Sequence, residues 1–163
     1  MPKLTPYQVN VAAEAFTCVV MSQAGYDVAM QYGTTQPDWD ILATKGSRTL
    51  KLQVKGSQTG GWGLFQGNLK DADYHGALDA WLARELEDVV YVFVQFKNVP
   101  VGAAPRCYLA RPLEIVQHMR TTRGGHARTT LKEKHAYSRG VGAGHEDVIP
   151  PSWLFSHSRV DTL

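Results

Sequence analysis

The chain is poor in cysteine, in net charge and in long apolar runs. Its two cysteines, Cys18 and Cys107, make neither a disulfide framework nor a thiolate metal site. They read as reduced, buried thiols of a cytoplasmic protein. The nearest thing to a membrane span, Val9 to Ala24, is interrupted by Asn10, Glu14 and Thr17. It falls short of the ~18 residues a span needs, so no membrane association is expected. Pro2 and Pro6 bracket a single Lys3 with no apolar stretch before a small-residue cleavage site, which argues against a signal peptide. The six histidines show no His-x-x-x-His or Cys-His spacing suited to zinc. Gly60-Gly61-Trp62-Gly63 lacks the Lys-Ser/Thr of a phosphate-binding loop. No internal repeat is visible.

What is present suits one globular domain. With 163 residues, 44% of them hydrophobic and 20% charged, the chain can bury a core and is not compositionally disordered. The net charge of +2 hides an uneven distribution. Between Asp71 and Asp88 six acids face Arg84 alone; between Arg106 and Arg139 eight bases face Glu114 and Glu133. A local excess of positive charge attracts a polyanion even in a nearly neutral chain. The plainer reading of that stretch is a solvated basic loop.

Local patterns predict the order of elements. Thr5-Pro6 starts a helix and Gly25 ends it. That helix is apolar on most of its circumference, which predicts burial on more than one side, and Glu14 is its one charged residue. Strands are expected at Tyr26–Tyr32, Asp38–Thr44 and Arg48–Gly56, the last two joined by a turn at Lys45-Gly46-Ser47. In the third strand Leu50, Leu52 and Val54 share one face; Lys51, Gln53 and Lys55 share the other. Gly56–Gly67 reads as a loop or a short strand around Trp62. A helix follows at Asp71–Glu85, then an unbroken buried strand at Val89–Phe96, a short strand at Cys107–Ala110 and a helix at Pro112–Arg120. Thr121–Pro151 has no sustained period and reads as loop with a short strand or two. Trp153-Leu154-Phe155 is a candidate to dock back on the core.

One constellation carries chemistry. A hairpin brings Asp40 on its first strand near Gln53 and Lys55 on its second, while Glu14 comes from the preceding helix. Mg²⁺ takes hard oxygen ligands from one or two carboxylates and keeps several waters. A nearby lysine can position a water and offset charge on a phosphate. Each residue has a plainer reading. Glu14 could sit on a helix rim, Asp40 could satisfy turn amides or yield its role to Asp38, and Gln53 and Lys55 could be the exposed face of an edge strand.

The segments AAEAFTCVVMSQAGYDV and PDWDILATKGSRTLKLQVKG together resemble the PD-(D/E)xK nuclease superfamily, in the branch whose last motif is Q-x-K. The resemblance rests on roughly a third of the chain. It implies a restriction-endonuclease-like α/β fold with a central mixed β-sheet flanked by helices. Residues 1–120 would form this core, and 121–163 a basic, glycine-rich, irregular C-terminal extension packing on or trailing from it, within a single domain. The resemblance also implies roles. Asp40 would be the main metal ligand, with the Gln53 side-chain oxygen and the Val54 carbonyl beside it. Lys55 would be the catalytic lysine, and Glu14 would bind a second metal or its water. The implied activity is Mg²⁺- or Mn²⁺-dependent hydrolysis of nucleic acid, most directly as a DNA endonuclease. Arg120, Arg123, Arg128, Lys132, Lys134 and Arg139 would contact the phosphate backbone. Homodimerisation is expected because two sites suit the cutting of two strands. Gln53 replaces the usual carboxylate and contributes no charge. Two alternatives therefore stand beside the nuclease: a nucleic-acid-binding protein of the same fold without catalysis, and a protein–protein interaction module.

Overall fold

The computed structural model describes residues 3–31, 39–85 and 87–163. The chain opens with helix α1 (Pro6–Gln23). Strands β1 (Asp27–Met30), β2 (Ile41–Lys45) and β3 (Arg48–Ser57) follow, then a three-residue strand β4 (Gly61–Gly63) and helix α2 (Tyr74–Leu82). Strands β5 (Val89–Gln95) and β6 (Arg106–Ala110) and helix α3 (Pro112–Gly125) complete the first part. Beyond them lie β7 (Thr130–Lys132), β8 (Lys134–Ala136), β9 (Glu146–Val148) and a short helix α4 (His157–Asp161). The main sheet has the order β1-β2-β3-β5-β6. Its β3–β5 pair is parallel and its other three pairs are antiparallel. The sheet is mixed and flanked by helices, as expected.

Local chemistry sets the boundaries of α1. Thr5 and Gln8 form a reciprocal capping box, Pro6 occupies the first turn, and Gly25 turns the chain out at φ +86°. Helix α2 is shorter than expected. Asp71 and Ala72 adopt left-handed backbone angles, and Asp73 caps the helix by accepting the Gly76 N–H at 2.8 Å. Three residues of the predicted segment are thereby excluded at its start.

Two apolar layers sandwich the sheet. Leu50, Leu52 and Val54 of β3 and Val90, Val92 and Val94 of β5 pack with Ala13 and Met21 of α1 and Val160 of α4. On the opposite face Tyr91 and Phe93 meet Leu78 and Trp81 of α2 and Ile115 and Met119 of α3. Every residue of β5 is buried, which explains its unbroken apolar run. Helix α1 is less enclosed than its composition predicts: Tyr7, Val11 and Val19 are exposed. Cys107 is buried, but Cys18 is only half-buried.

The segment after α3 holds more regular structure than expected, with three short strands. β7 pairs with β4, and β8 with β9. Leu131, Ile149 and Trp153 lie in the same apolar cluster as Trp62 and Phe93. Leu154 makes a β-bridge to Tyr108, and the Phe155 N–H donates to the Cys107 carbonyl at 2.8 Å. Glu133 adds a polar tie: its carboxylate accepts from Arg106 Nε at 2.5 Å, from Arg106 Nη2 at 2.9 Å and from the Tyr108 hydroxyl at 2.8 Å. Burial alone would push this carboxyl up, but Arg106 and Tyr108 outweigh burial and hold it below its usual range. A lowered carboxyl stabilises the fold above the unfolded value of ~4.3 and loses that contribution as pH falls through the folded value. Glu133→Gln is expected to cost about 1–2 kcal/mol in urea denaturation at pH 7, the half-exposed Arg106 keeping the loss small. The difference from the parent is expected to fade below about pH 4.

Candidate metal and phosphodiester site

Among the described residues no strand pairs with β3 beyond Leu52 on its β2 side. Asp40 stands immediately ahead of β2, still in register with β3: its N–H donates to the Leu52 carbonyl at 2.8 Å, and its own carbonyl accepts the Gln31 N–H at 2.9 Å. Ile41 pairs with Leu52, so Asp40 falls opposite Gln53. β3 continues to Ser57 without β2 beside it. The Asp40 carboxylate takes over one bond of the missing ladder by accepting the Val54 N–H at 2.7 Å. The same oxygen accepts the Gln53 side-chain N–H at 2.9 Å. In that orientation the Gln53 side-chain oxygen makes no hydrogen bond among the described residues. In a strand the N–H and C=O of one residue address the same side, so the Val54 carbonyl faces the same open edge. Asp38, the alternative to Asp40, lies outside the described residues.

Glu14, on α1, lies near enough to Asp40 for the two charges to interact. It is half-buried, and its carboxyl is raised first by burial and then by the negative charge of Asp40. Two carboxylates that repel one another, an amide oxygen and a main-chain carbonyl form a donor set of hard oxygens, which fits Mg²⁺ or Mn²⁺. Among the described residues no cluster of three His, Cys, Asp or Glu side chains forms, here or elsewhere, so any cation held here would depend on the amide and main-chain oxygens as well as the two carboxylates. A raised carboxyl favours folding below the unfolded value and loses that contribution as pH rises through the folded value. Glu14→Gln is therefore expected to raise the melting temperature slightly at pH 7 without metal, with no difference below about pH 4. Added Mg²⁺ is expected to stabilise the parent and not this variant. A lower melting temperature for Glu14→Gln in chelator would contradict the repulsion.

Lys55 follows Gln53 on the same face of β3 and borders a cavity of about 260 Å³, shared with Asn10, Ser57, Gln58 and Trp62. Next to Lys55, and lining the same cavity, Gly56 packs directly under α1. A Cβ there would stand 2.8 Å from Val9 Cγ1, 2.9 Å from the Val9 carbonyl oxygen and 3.0 Å from Ala13 Cβ. The missing side chain lets the Glu14 helix lie across the end of β3. Gly56 was legible only as a strand end; its place directly after Lys55 was the available signal.

His75 Nε2 lies 3.0 Å from the Gly125 carbonyl, and Trp62 is buried against Phe93 and Tyr108. Burial pushes the Cys107 thiol up to about 12 and also raises Cys18, with Glu14 adding to the latter, so neither is a nucleophile at neutral pH.

The basic stretch is divided. Arg120 pairs with Asp79, Arg128 stands 3.9 Å from Asp147, and Lys134 lies 3.6 Å from Glu146. Among the described residues no acid pairs with Arg123, Lys132 or Arg139. Lys132 is pushed down by burial and then by the charges of Arg128 and Lys97, as expected of a cation crowded by cations.

No family model and no curated protein matches the chain. Among solved structures, Hjc, a Holliday junction resolvase from the archaeal hyperthermophile Archaeoglobus fulgidus, is similar. The two are 16% identical over 76% of this chain and 84% of that one, with a TM-score of 0.43. Among the described residues no helix is long and apolar enough to cross a membrane.

Proposed function

We propose that this chain is a divalent-metal-dependent phosphodiester hydrolase acting on nucleic acid, most directly a DNA endonuclease of the PD-(D/E)xK type. The observation that supports it best is the Asp40 carboxylate. It is bonded to the Gln53 amide and the Val54 N–H where β3 runs on past β2, and its charge adds to the burial that raises Glu14. Asp40, Gln53, the Val54 carbonyl and Glu14 would hold Mg²⁺ or Mn²⁺, which when bound supplies positive charge against the charge developing on the scissile phosphate.

The chain's own groups do the rest. Lys55 presents an ammonium beside that edge, where it donates hydrogen bonds to a phosphate oxygen or to the attacking water and orients the latter for in-line displacement. Water oxygen bonds to phosphorus as the bond to the departing sugar oxygen breaks, and a proton passes to that oxygen. Asp40 keeps its place because its other acceptor duty, the Val54 N–H, ties it to the backbone. Arg123, Lys132 and Arg139, without an acid partner among the described residues, contribute most to the backbone contact. Arg120 and Lys134, in exposed pairs, can exchange their acids for phosphates at little cost. Homodimerisation belongs to the same proposal, with sedimentation as its check.

The test is incubation with supercoiled, linear, branched and single-stranded DNA and with RNA, with Mg²⁺, Mn²⁺ or chelator. Metal-dependent cleavage of at least one form, absent in Asp40→Asn, supports the proposal. Salt-sensitive binding of all forms without cleavage favours the second reading, a binding protein of this architecture, for which the uncharged Gln53 speaks.

A further inference from the structure

A second polar cavity lies outside the Asp40 constellation. It measures about 320 Å³ and is lined by Tyr74, Arg123, Arg128, Thr129, Thr130 and Tyr137. The Arg123 guanidinium lies 5.0 Å from the Tyr74 ring centroid, and that of Arg128 lies 5.5 Å from the Tyr137 ring. Asp147, buried among the basic residues, organises the group. It accepts the Arg123 main-chain N–H at 2.9 Å and the Tyr137 hydroxyl at 2.6 Å, and stands 3.9 Å from Arg128. Arg123 sits where α3 breaks, in a left-handed conformation at φ +54°. Its N–H bond to Asp147 holds that conformation in place.

The chemistry of this cavity is that of an anion carrying a flat ring. Arg123, Arg128 and the adjoining Lys132 stand against one carboxylate, and that carboxylate already accepts two hydrogen bonds and faces Arg128 as an ion pair. Two threonine residues add hydroxyl groups able to bond phosphate oxygens. Arg128 also donates to the Tyr137 hydroxyl, whereas Arg123, resting on the Tyr74 ring, keeps its opposite planar face for a nucleobase, the usual stacking arrangement for unpaired strands. At about 320 Å³ the cavity is at the small end of ligand pockets, suited to one nucleotide. A duplex carries its phosphates on a convex surface with its bases enclosed, and so cannot place a base here. We propose that this cleft binds a phosphate together with its base from an unpaired nucleic-acid strand. The site deepens the nucleic-acid reading above and rests on it, though not on cleavage.

The test is fluorescence anisotropy with a labelled single-stranded oligodeoxynucleotide in chelator, across a salt series, with the duplex of the same sequence as comparison. Asparagine tolerates the left-handed conformation, so Arg123→Asn removes the guanidinium while keeping the backbone. It is expected to weaken single-strand binding about tenfold and to lower the salt slope by about 0.7. Tyr74→Leu keeps the apolar packing and removes the ring under Arg123; a loss of about threefold or more is expected. Arg84→Ala, an exposed cation on another surface, should bind as the parent does. Binding by Arg123→Asn and Tyr74→Leu equal to that of Arg84→Ala overturns the proposal, as does duplex bound as tightly as single strand. Chelator separates the two claims. A protein that cuts with metal but is indifferent to Arg123 contradicts the cleft alone, and one that binds as expected but never cuts contradicts the hydrolase alone.

Discussion

Asp40→Asn is expected to fold like the parent and to lose metal-dependent cleavage by about 10³-fold or more. The two halves of that expectation come from two duties of one carboxylate. Its structural duty is to accept the Val54 N–H at 2.7 Å, and an asparagine oxygen can do the same. Its proposed chemical duty is to supply charge for a cation, which asparagine cannot do. Removing the charge also relieves Glu14, so stability in chelator should stay level or rise slightly. Lys55→Ala is expected to lose about 10²–10⁴-fold while leaving metal affinity nearly unchanged, because its role lies with water and phosphate. The double variant should be little worse than the poorer single one, since groups acting as a unit are not additive. Gel-based nicking rates with denaturation midpoints measured alongside check all three; an Asp40→Asn protein that cuts at the parent rate would remove the basis for the site.

Gly56→Val should be the most damaging substitution for stability. An added Cβ meets the Val9 carbonyl oxygen at 2.9 Å, and a main-chain oxygen cannot step aside without moving α1. Overpacking of this kind costs about 1–3 kcal/mol, and the branched valine should reach the upper end. Alanine at this position should lose less but still measurably. The same movement carries Glu14 away from Asp40, so the surviving folded fraction should also cut more slowly. Gly67→Ala is the control: nothing lies within 4 Å of its Cβ position, and its effect should stay within about 0.5 kcal/mol. Equal denaturation midpoints for Gly56→Val and Gly67→Ala would show that α1 does not depend on this contact.

The site was legible to the extent that hairpin register is legible. Gly46 and Ser47 close a two-residue connection, and the alternation of Leu50, Leu52 and Val54 then decides which side chains oppose which, so Asp40 had to meet Gln53. Glu14 stood out because nothing else on its helix is charged. The helix itself misled: composition gave no way to separate the buried Val9 and Val20 from the exposed Val11 and Val19, because valine marks both faces. Beyond α3 the strands are three residues long, too short for a period to emerge. Asp147 was invisible for a different reason. It is one acid beyond the end of a basic stretch, and its importance comes from the two hydrogen bonds and the ion pair that converge on it from up to 24 residues away in the chain.

The central claim is that the open edge beside Asp40 holds a divalent cation. Isothermal titration of Mn²⁺ into the protein without nucleic acid tests it most directly. Saturable binding is expected for the parent, with at least about tenfold weaker binding for Asp40→Asn and unchanged binding for Arg84→Ala. Absence of saturable binding, or equal affinity in the parent and Asp40→Asn, would contradict it.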